Sequence, residues 1–155
     1  MSEEELIDLA RSTSDVEALN ILAENENYEV RCTVAKNKNT PVELLAVLAQ
    51  DEDYSVRWAV AENRSTPADV LAVLAKDEVY EVRTEVAANR NTSADVLAML
   101  AKDECIVVRS AVAENENTPK EALVTLSKDN NEWVSERAEE ALQERTIKKE
   151  QNIER

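Results

Sequence analysis

The sequence predicts an all-α fold, an α-solenoid of five stacked 26-residue units, each made of two helices, with a helical cap at each end. Two observations predict it. Valines recur every 26 residues, at Val30, Val56, Val82, Val108 and Val134. Aligned on that period, residues 40–65 and 66–91 are identical at 16 of 26 positions, which marks an internal repeat. The units are 14–39, 40–65, 66–91, 92–117 and 118–143, with an N-terminal cap at 1–13 and a C-terminal tail at 144–155.

Helix A, the first helix of each unit, is predicted from a hydroxyl residue followed three positions later by an acid. The hydroxyls are Ser14, Thr40, Thr66, Thr92 and Thr118. We expect each hydroxyl to accept a hydrogen bond from a free backbone N–H of the first helical turn. The prolines Pro41, Pro67 and Pro119 then occupy the first helical position, where a missing N–H costs nothing. Leucines at spacings of three and four form the buried stripe of the helix.

Helix B, the second helix, is predicted to start at a recurrent aspartate and to end at a recurrent asparagine. The aspartates are Asp51, Asp77, Asp103 and Asp129, and the asparagines are Asn37, Asn63, Asn89 and Asn115. Because the chain contains no glycine, we expect the asparagines to adopt the left-handed conformation that usually follows a helix. Two helices within 26 residues are too short to be stable alone in water, so the units must stack.

Each end of the stack needs a cap. Residues 1–13 supply Leu6, Ile7 and Leu9 for a leading helix. The last unit continues as a charged helix, which we expect to fray from Thr146.

The stretch from Asp51 to Ala75, DEDYSVRWAVAENRSTPADVLAVLA, resembles the leucine-rich repeat variant family, and the resemblance covers about residues 14–143. It implies a right-handed superhelix in which α-helices alternate with 3₁₀-helices. Each apolar stripe extends past two turns, however, which favours an α-helix in both layers. A described member of that family carries an iron–sulfur segment before its repeats, and this chain has no equivalent cysteine-rich segment.

Composition and charge exclude several classes of function. Glycine is absent, which removes glycine-rich phosphate loops, and histidine is absent, which removes the most common general base. The net charge of −15 repels nucleic acid and anionic membranes. No apolar run reaches the roughly 20 residues that span a bilayer, and the acidic start is unlike a secretory signal. We therefore expect a cytoplasmic protein that is not an enzyme, holds no cofactor and binds neither nucleic acid nor membrane.

The most specific polar pattern is a row of arginines, Arg31, Arg57, Arg83 and Arg109, each directly after a repeated valine. The structural interpretation pairs them with the aspartates at 51, 77, 103 and 129 in a ladder of ion pairs that holds units in register. The functional interpretation is a row that binds carboxylates or phosphates. Repetition in every internal unit favours the structural ladder, because a single ligand site does not require it. Cys32 and Cys105 lie three units apart, too far for a disulfide.

Positions on helix B that vary between units are free to contact a partner. Trp58 stands out there, because aromatic residues are scarce in this chain and are enriched at interaction sites. The alternative is that Trp58 folds over a neighbouring unit. The predicted partner-binding residues are Trp58, Val79, Glu81, Thr84, Val107, Ser110 and Trp133.

These patterns predict a scaffold for protein–protein interaction that binds a basic or amphipathic protein or peptide on an acidic helix-B face. The alternative function is an accessory module of an iron–sulfur redox or nitrogen-metabolism system, as the resemblance implies.

Overall fold

A computed structural model describes residues 1–153, and over that range it contains eleven α-helices and no strand. The helices are α1 (Glu3–Ser12), α2 (Val16–Ala23), α3 (Tyr28–Lys36), α4 (Val42–Leu48), α5 (Tyr54–Glu62), α6 (Ala68–Leu74), α7 (Tyr80–Ala88), α8 (Ala94–Leu100), α9 (Ile106–Glu114), α10 (Lys120–Leu126) and α11 (Glu132–Ile153). The all-helical repeat architecture predicted from the sequence is confirmed.

The helices form two layers. The A layer consists of α2, α4, α6, α8 and α10, and the B layer consists of α3, α5, α7, α9 and the first turns of α11. Each B helix packs closely against the next, whereas successive A helices lie farther apart. The stack therefore curves with the B layer on its inner side. The leading helix α1 packs against α3 and takes the first place in the B layer.

The core lies between the two layers and repeats from unit to unit. The A helices bury leucines completely, as at Leu45, Leu71, Leu97 and Leu123, and the B helices bury the repeated valines. Each such side chain contributes about 1.5–3 kcal/mol relative to its exposed form. The apolar faces of one unit are covered only when the next unit is in place, so this stabilisation depends on the stacking of adjacent units.

The prediction that the asparagines adopt a left-handed backbone conformation is wrong. No residue between 1 and 153 has a positive φ, and Asn63 has an extended backbone with φ of −66°. Its buried side-chain amide instead donates to Ala35 O at 2.7 Å and Asn37 O at 3.2 Å in the preceding unit. Asn89 and Asn115 repeat this contact. The reason is that the last carbonyls of each B helix have no helical partner, and the next unit supplies the missing donor.

The predicted hydroxyl caps of helix A are also wrong. The A helices follow Pro41, Pro67 and Pro119, which sit at the N-cap position without a side-chain cap bond. The Thr66 hydroxyl is buried and donates to Val60 O at 2.6 Å, at the end of the preceding B helix. Three further threonines, at 40, 92 and 118, make the same bond to the B helix that precedes each of them. In the first unit the cap is Asp15 and not Ser14. The threonines therefore cap the C-terminal end of a B helix and do not cap the N-terminal end of an A helix.

The aspartates predicted to cap helix B lie two residues too early. Helix α5 starts at Tyr54 and is capped by Asp53, which accepts from Ser55 N–H. Asp51 accepts from Asp53 N–H at 2.9 Å and so fixes the turn before the helix. This placement leaves the Asp51 carboxylate free to pair with an arginine.

The C-terminal helix α11 is 22 residues long and includes the segment from Thr146 that was expected to fray, as far as Ile153. Residues 154–155 of the predicted tail lie outside the described range. Arg145 donates to Thr118 O at 2.7 Å and to Glu116 O at 3.0 Å. The Arg145 guanidinium thus supplies the loop between α9 and α10 with donors of the kind that Asn91 supplies to Arg64 O and Thr66 O two units earlier.

Candidate protein-binding face

The arginine row lies between units and is occupied by contacts within the chain. Arg57 Nε donates to Asp77 Oδ2 at 2.7 Å and Nη2 donates to Asp77 Oδ1 at 3.1 Å, so the pair is bidentate and joins one unit to the next. Arg57 Nη1 donates to Asp51 O at 2.9 Å in its own unit. The pairs Arg31–Asp51, Arg83–Asp103 and Arg109–Asp129 have the same arrangement. These pairs leave the guanidinium groups with few donors for a ligand.

The ion pairs change the acidity of both partners. The hydrogen bond to Asp77 raises the pKa of Arg57 above its ordinary value. Burial opposes ionisation of Asp77, but the hydrogen bonds from Arg57 and from Val79 N–H together hold its pKa below the ordinary value. The pKa of Asp51 is lowered in the same way. The carboxylates of Asp51 and Asp77 are therefore ionised at neutral pH.

Three of the predicted partner-binding residues, Glu81, Val107 and Trp133, are exposed on the B layer. Val79 and Thr84 are half-buried. Val79 packs against the core, and the Thr84 hydroxyl donates to Tyr80 O. Ser110 contradicts the prediction.

Ser110 lies on α9 and is only 2% exposed. Its short side chain does not reach solvent between the neighbouring helices. It is therefore not available to a partner.

Trp58 is half-buried rather than a freely exposed anchor. Lys36, one unit earlier, places its Nζ 4.6 Å from the centre of the Trp58 ring, and it also lies 3.4 Å from Glu62. The indole thus contacts a neighbouring unit, as the alternative interpretation expected. Trp133 is more accessible, at 45% exposed, and Arg137 lies over its ring at 5.6 Å.

A row of exposed tyrosines on the B layer is a further candidate for contact with a partner, and none of its members is among the partner-binding residues predicted from the sequence. Tyr28, Tyr54 and Tyr80 are the first residues of α3, α5 and α7 and are 43%, 51% and 45% exposed. Ile106 holds the same position on α9 and is 40% exposed. The sequence carries a signal for this row in the 26-residue spacing of Tyr28, Tyr54 and Tyr80.

All five aromatic residues of the protein now lie on the B layer, and none is buried. They share this surface with carboxylates, of which Glu29, Glu62, Glu81, Glu114 and Glu136 are exposed. We call this surface the aromatic face: the outward residues of α3, α5, α7 and α9 together with Trp133 and Glu136 of α11. Buried aromatic side chains are usual in globular proteins, so the absence of any buried ring here favours a role in recognition.

The acidic character of this face reaches the tyrosine hydroxyls. Tyr28 Oη donates to Glu29 Oε1 at 3.4 Å, and the charge of Glu29 raises the pKa of Tyr28. A hydrogen bond to Glu81, together with its charge, raises the pKa of Tyr80. Both shifts report a negative potential beside an exposed ring, which favours a cation at the same place.

An open groove of about 780 Å³ continues the aromatic face towards the N-terminus, between α1 and α3. Its lining includes Ile7, Arg11, Tyr28, Glu29 and Cys32. Burial raises the pKa of the Cys32 thiol, which keeps it protonated and poorly nucleophilic. The groove is therefore a concave surface of mixed polarity, and its cysteine is not an activated nucleophile.

Residues 1–153 contain neither a membrane-spanning helix nor a cluster of metal-binding side chains. No helix in that range is both long and apolar enough to cross a membrane. Within the same range, no group of three or more cysteine, aspartate or glutamate side chains is placed to hold a metal ion.

Comparison with known proteins identifies the repeat. The leucine-rich repeat variant model matches residues 28–53, a segment one period long, and confirms the resemblance predicted from the sequence. Among solved structures, a leucine-rich repeat variant described as having a novel repetitive motif is 26% identical, with a TM-score of 0.45. That alignment covers 90% of this chain and 66% of the other, so this chain spans just under two thirds of its length. An engineered protein is 20% identical with a TM-score of 0.55, covering 90% of this chain and 86% of that one, and supports the fold alone. No protein of curated function matches the sequence significantly.

Proposed function

We propose that this leucine-rich repeat variant protein is a non-catalytic scaffold that binds a basic or amphipathic segment of another protein on its aromatic face. The observation that carries the proposal is that every aromatic residue lies on the B layer and none enters the core. Aromatic side chains supply much of the energy at protein interfaces, whereas the buried apolar side chains within residues 1–153 are all leucine, valine or alanine.

The charge distribution supports a cationic partner. Each rung of the ladder pairs one arginine with one aspartate, so the ladder is neutral. The whole excess of −15 therefore belongs to side chains outside it, most of them exposed. Such a surface accelerates the association of a basic partner, and salt weakens this electrostatic attraction.

The helix-A side of the rod is the competing surface. It carries an exposed apolar row of its own, Ile21, Val47, Val73 and Met99, but no aromatic residue. Acids such as Glu43 and Asp69 flank this row at the start of the A helices. A matched pair of variants distinguishes the two faces.

The test is the affinity of a fluorescent 15-residue arginine- and lysine-rich peptide, measured by anisotropy. Replacing Glu29 and Glu81 by Gln neutralises two charges on the aromatic face, and replacing Glu43 by Gln with Asp69 by Asn neutralises two on the other face. We expect the first pair to weaken binding by about 10-fold and the second by about 2-fold or less. Equal losses, or equally tight binding of a glutamate-rich peptide, would contradict a partner site on the aromatic face.

Ionic strength supplies an independent measurement on the unmodified protein. Exposed charges are screened over about 10 Å at 0.1 M salt. We expect affinity for the basic peptide to fall steadily as the salt concentration rises from about 50 to about 500 mM. Binding that does not respond to salt would assign the energy to the apolar residues of the face instead.

A further inference from the structure

The aromatic face changes character along the rod. Its first part holds Tyr28, Tyr54 and Tyr80, one from each of three successive B helices, which we call the tyrosine row. Its second part holds Ile106, Val107 and Trp133, which are 40%, 41% and 45% exposed and which we call the apolar end. A partner that covers the whole face must therefore meet two different chemistries in a fixed order.

Two aromatic rings already make cation–π contacts with lysine or arginine side chains of the same chain. Lys36 lies over Trp58 and Arg137 lies over Trp133, so both tryptophans already carry a cation from this chain. Within residues 1–153 no lysine or arginine lies over a tyrosine of the row. Tyr28 and Tyr80 also have a carboxylate beside the ring, from Glu29 and Glu81. The tyrosines are thus the rings that remain open to a cation from outside.

The spacing of the row sets the spacing of its ligand. The tyrosines occupy the same position on B helices that pack directly against each other, and packed helices lie about 8–10 Å apart. An extended or polyproline-type chain advances about 9–10 Å over three residues. One ligand side chain in three therefore meets each successive unit.

Resting on the proposed function, we propose that the aromatic face binds an extended segment with three cationic side chains at every third position and a bulky apolar residue at the next such position. The cations lie over Tyr28, Tyr54 and Tyr80, and the apolar residue lies against the apolar end. The pattern reads cation-x-x-cation-x-x-cation-x-x-apolar, in either chain direction. Each cation is held by a ring face and, at two of the three positions, by a neighbouring carboxylate.

The experiment compares peptides of identical composition. The first carries arginine at positions 1, 4 and 7 and leucine at position 10, with serine and alanine between. The second groups the three arginines together, and the third moves the leucine between them. We expect the first to bind about 5-fold or more tightly than the others, because only it places all four side chains at once.

Variants locate the contacts on the protein. Tyr54 has no carboxylate in the next position, so Tyr54→Ser removes a ring and leaves the charge of the face unchanged. We expect it to weaken the first peptide by about 2- to 5-fold, while Tyr54→Phe retains affinity. Ile106→Ser should weaken the first peptide but not a peptide lacking leucine. Val73→Ser, on the helix-A side and 54% exposed, is the control and should have no effect.

The outcomes separate the two proposals. If all three peptides bind equally and Tyr54→Ser changes nothing, the spacing is refuted while the acidic binding face survives. If no basic peptide binds even at low salt, the face itself is refuted and the spacing with it. Circular dichroism of each variant establishes that a lost affinity does not reflect lost folding.

Discussion

Replacing Arg83 by methionine isolates the contribution of one rung of the ladder. Arg83 donates to Asp103 at 2.8 and 3.1 Å in the next unit and to Asp77 O at 2.8 Å in its own. The side chains of Arg83 and Asp103 are 12% and 9% exposed. Removing the guanidinium leaves a nearly buried carboxylate without its cation, which costs about 3 kcal/mol, at the lower end for buried pairs. For a chain of this size that loss lowers Tm by about 6–12 °C.

The assay is urea unfolding followed by far-ultraviolet circular dichroism, with a thermal scan alongside. Arg11 provides the matched control, because its ion pair with Asp8 is 65% and 68% exposed and Arg11→Met should cost under about 1 kcal/mol. Adding Asp103→Asn to Arg83→Met should recover part of the loss. The amide removes the unpaired charge but keeps the oxygen that accepts from Cys105 N–H.

Affinity for the basic peptide should be unchanged in Arg83→Met, because the rung lies outside the aromatic face. A destabilisation no larger than that of Arg11→Met would refute the view that the ladder holds adjacent units together. Lost peptide binding with unchanged stability would instead assign the arginines to a ligand site.

Three further predictions concern the other repeated polar residues. Asn89→Ala leaves two carbonyls of the preceding unit without their donor and should cost about 2–4 kcal/mol in urea unfolding, whereas the exposed Asn91→Ala should cost far less. Thr66→Val keeps the shape but loses the bond to the end of a B helix, and should lower the free energy of unfolding by about 1–3 kcal/mol. The folded-state pKa values of Asp51 and Asp77 lie below their unfolded values, so their contribution to folding stability is present above about pH 4 and is lost as pH falls through the folded pKa. We therefore expect the urea midpoint of unfolding, measured between about pH 7 and about pH 2, to drop at the acidic end of that range. A midpoint that does not change with pH would contradict this prediction.

The sequence predicts the fold well because the period and the apolar stripes carry the information. Leucines three and four residues apart define each A helix, and Leu45 and Leu71 are fully buried as expected. The 26-residue period of the repeat follows from the valine spacing alone. Both signals are set within one unit and its direct copy, so a single sequence is sufficient to find them.

The polar residues were harder to assign because their partners lie in other units. Asn63 was given a local role by analogy with glycine, yet its amide reaches carbonyls 28 and 26 residues earlier. Thr66 was assigned to the helix that follows it, yet its hydroxyl bonds the helix that precedes it. Local capping rules describe a helix end in isolation, and here the stacked neighbour offers a stronger alternative.

The tyrosine row does not fit the simple rule that repeated positions serve the stack and variable positions face a partner. Tyr28, Tyr54 and Tyr80 repeat in three successive units and yet are exposed, so burial within the stack does not explain why they repeat. Repetition of a buried residue indicates contact between units, whereas repetition of an exposed ring is consistent with the proposed ligand, whose side chains recur at the same interval. Burial, which sequence alone does not supply, is what separates the two.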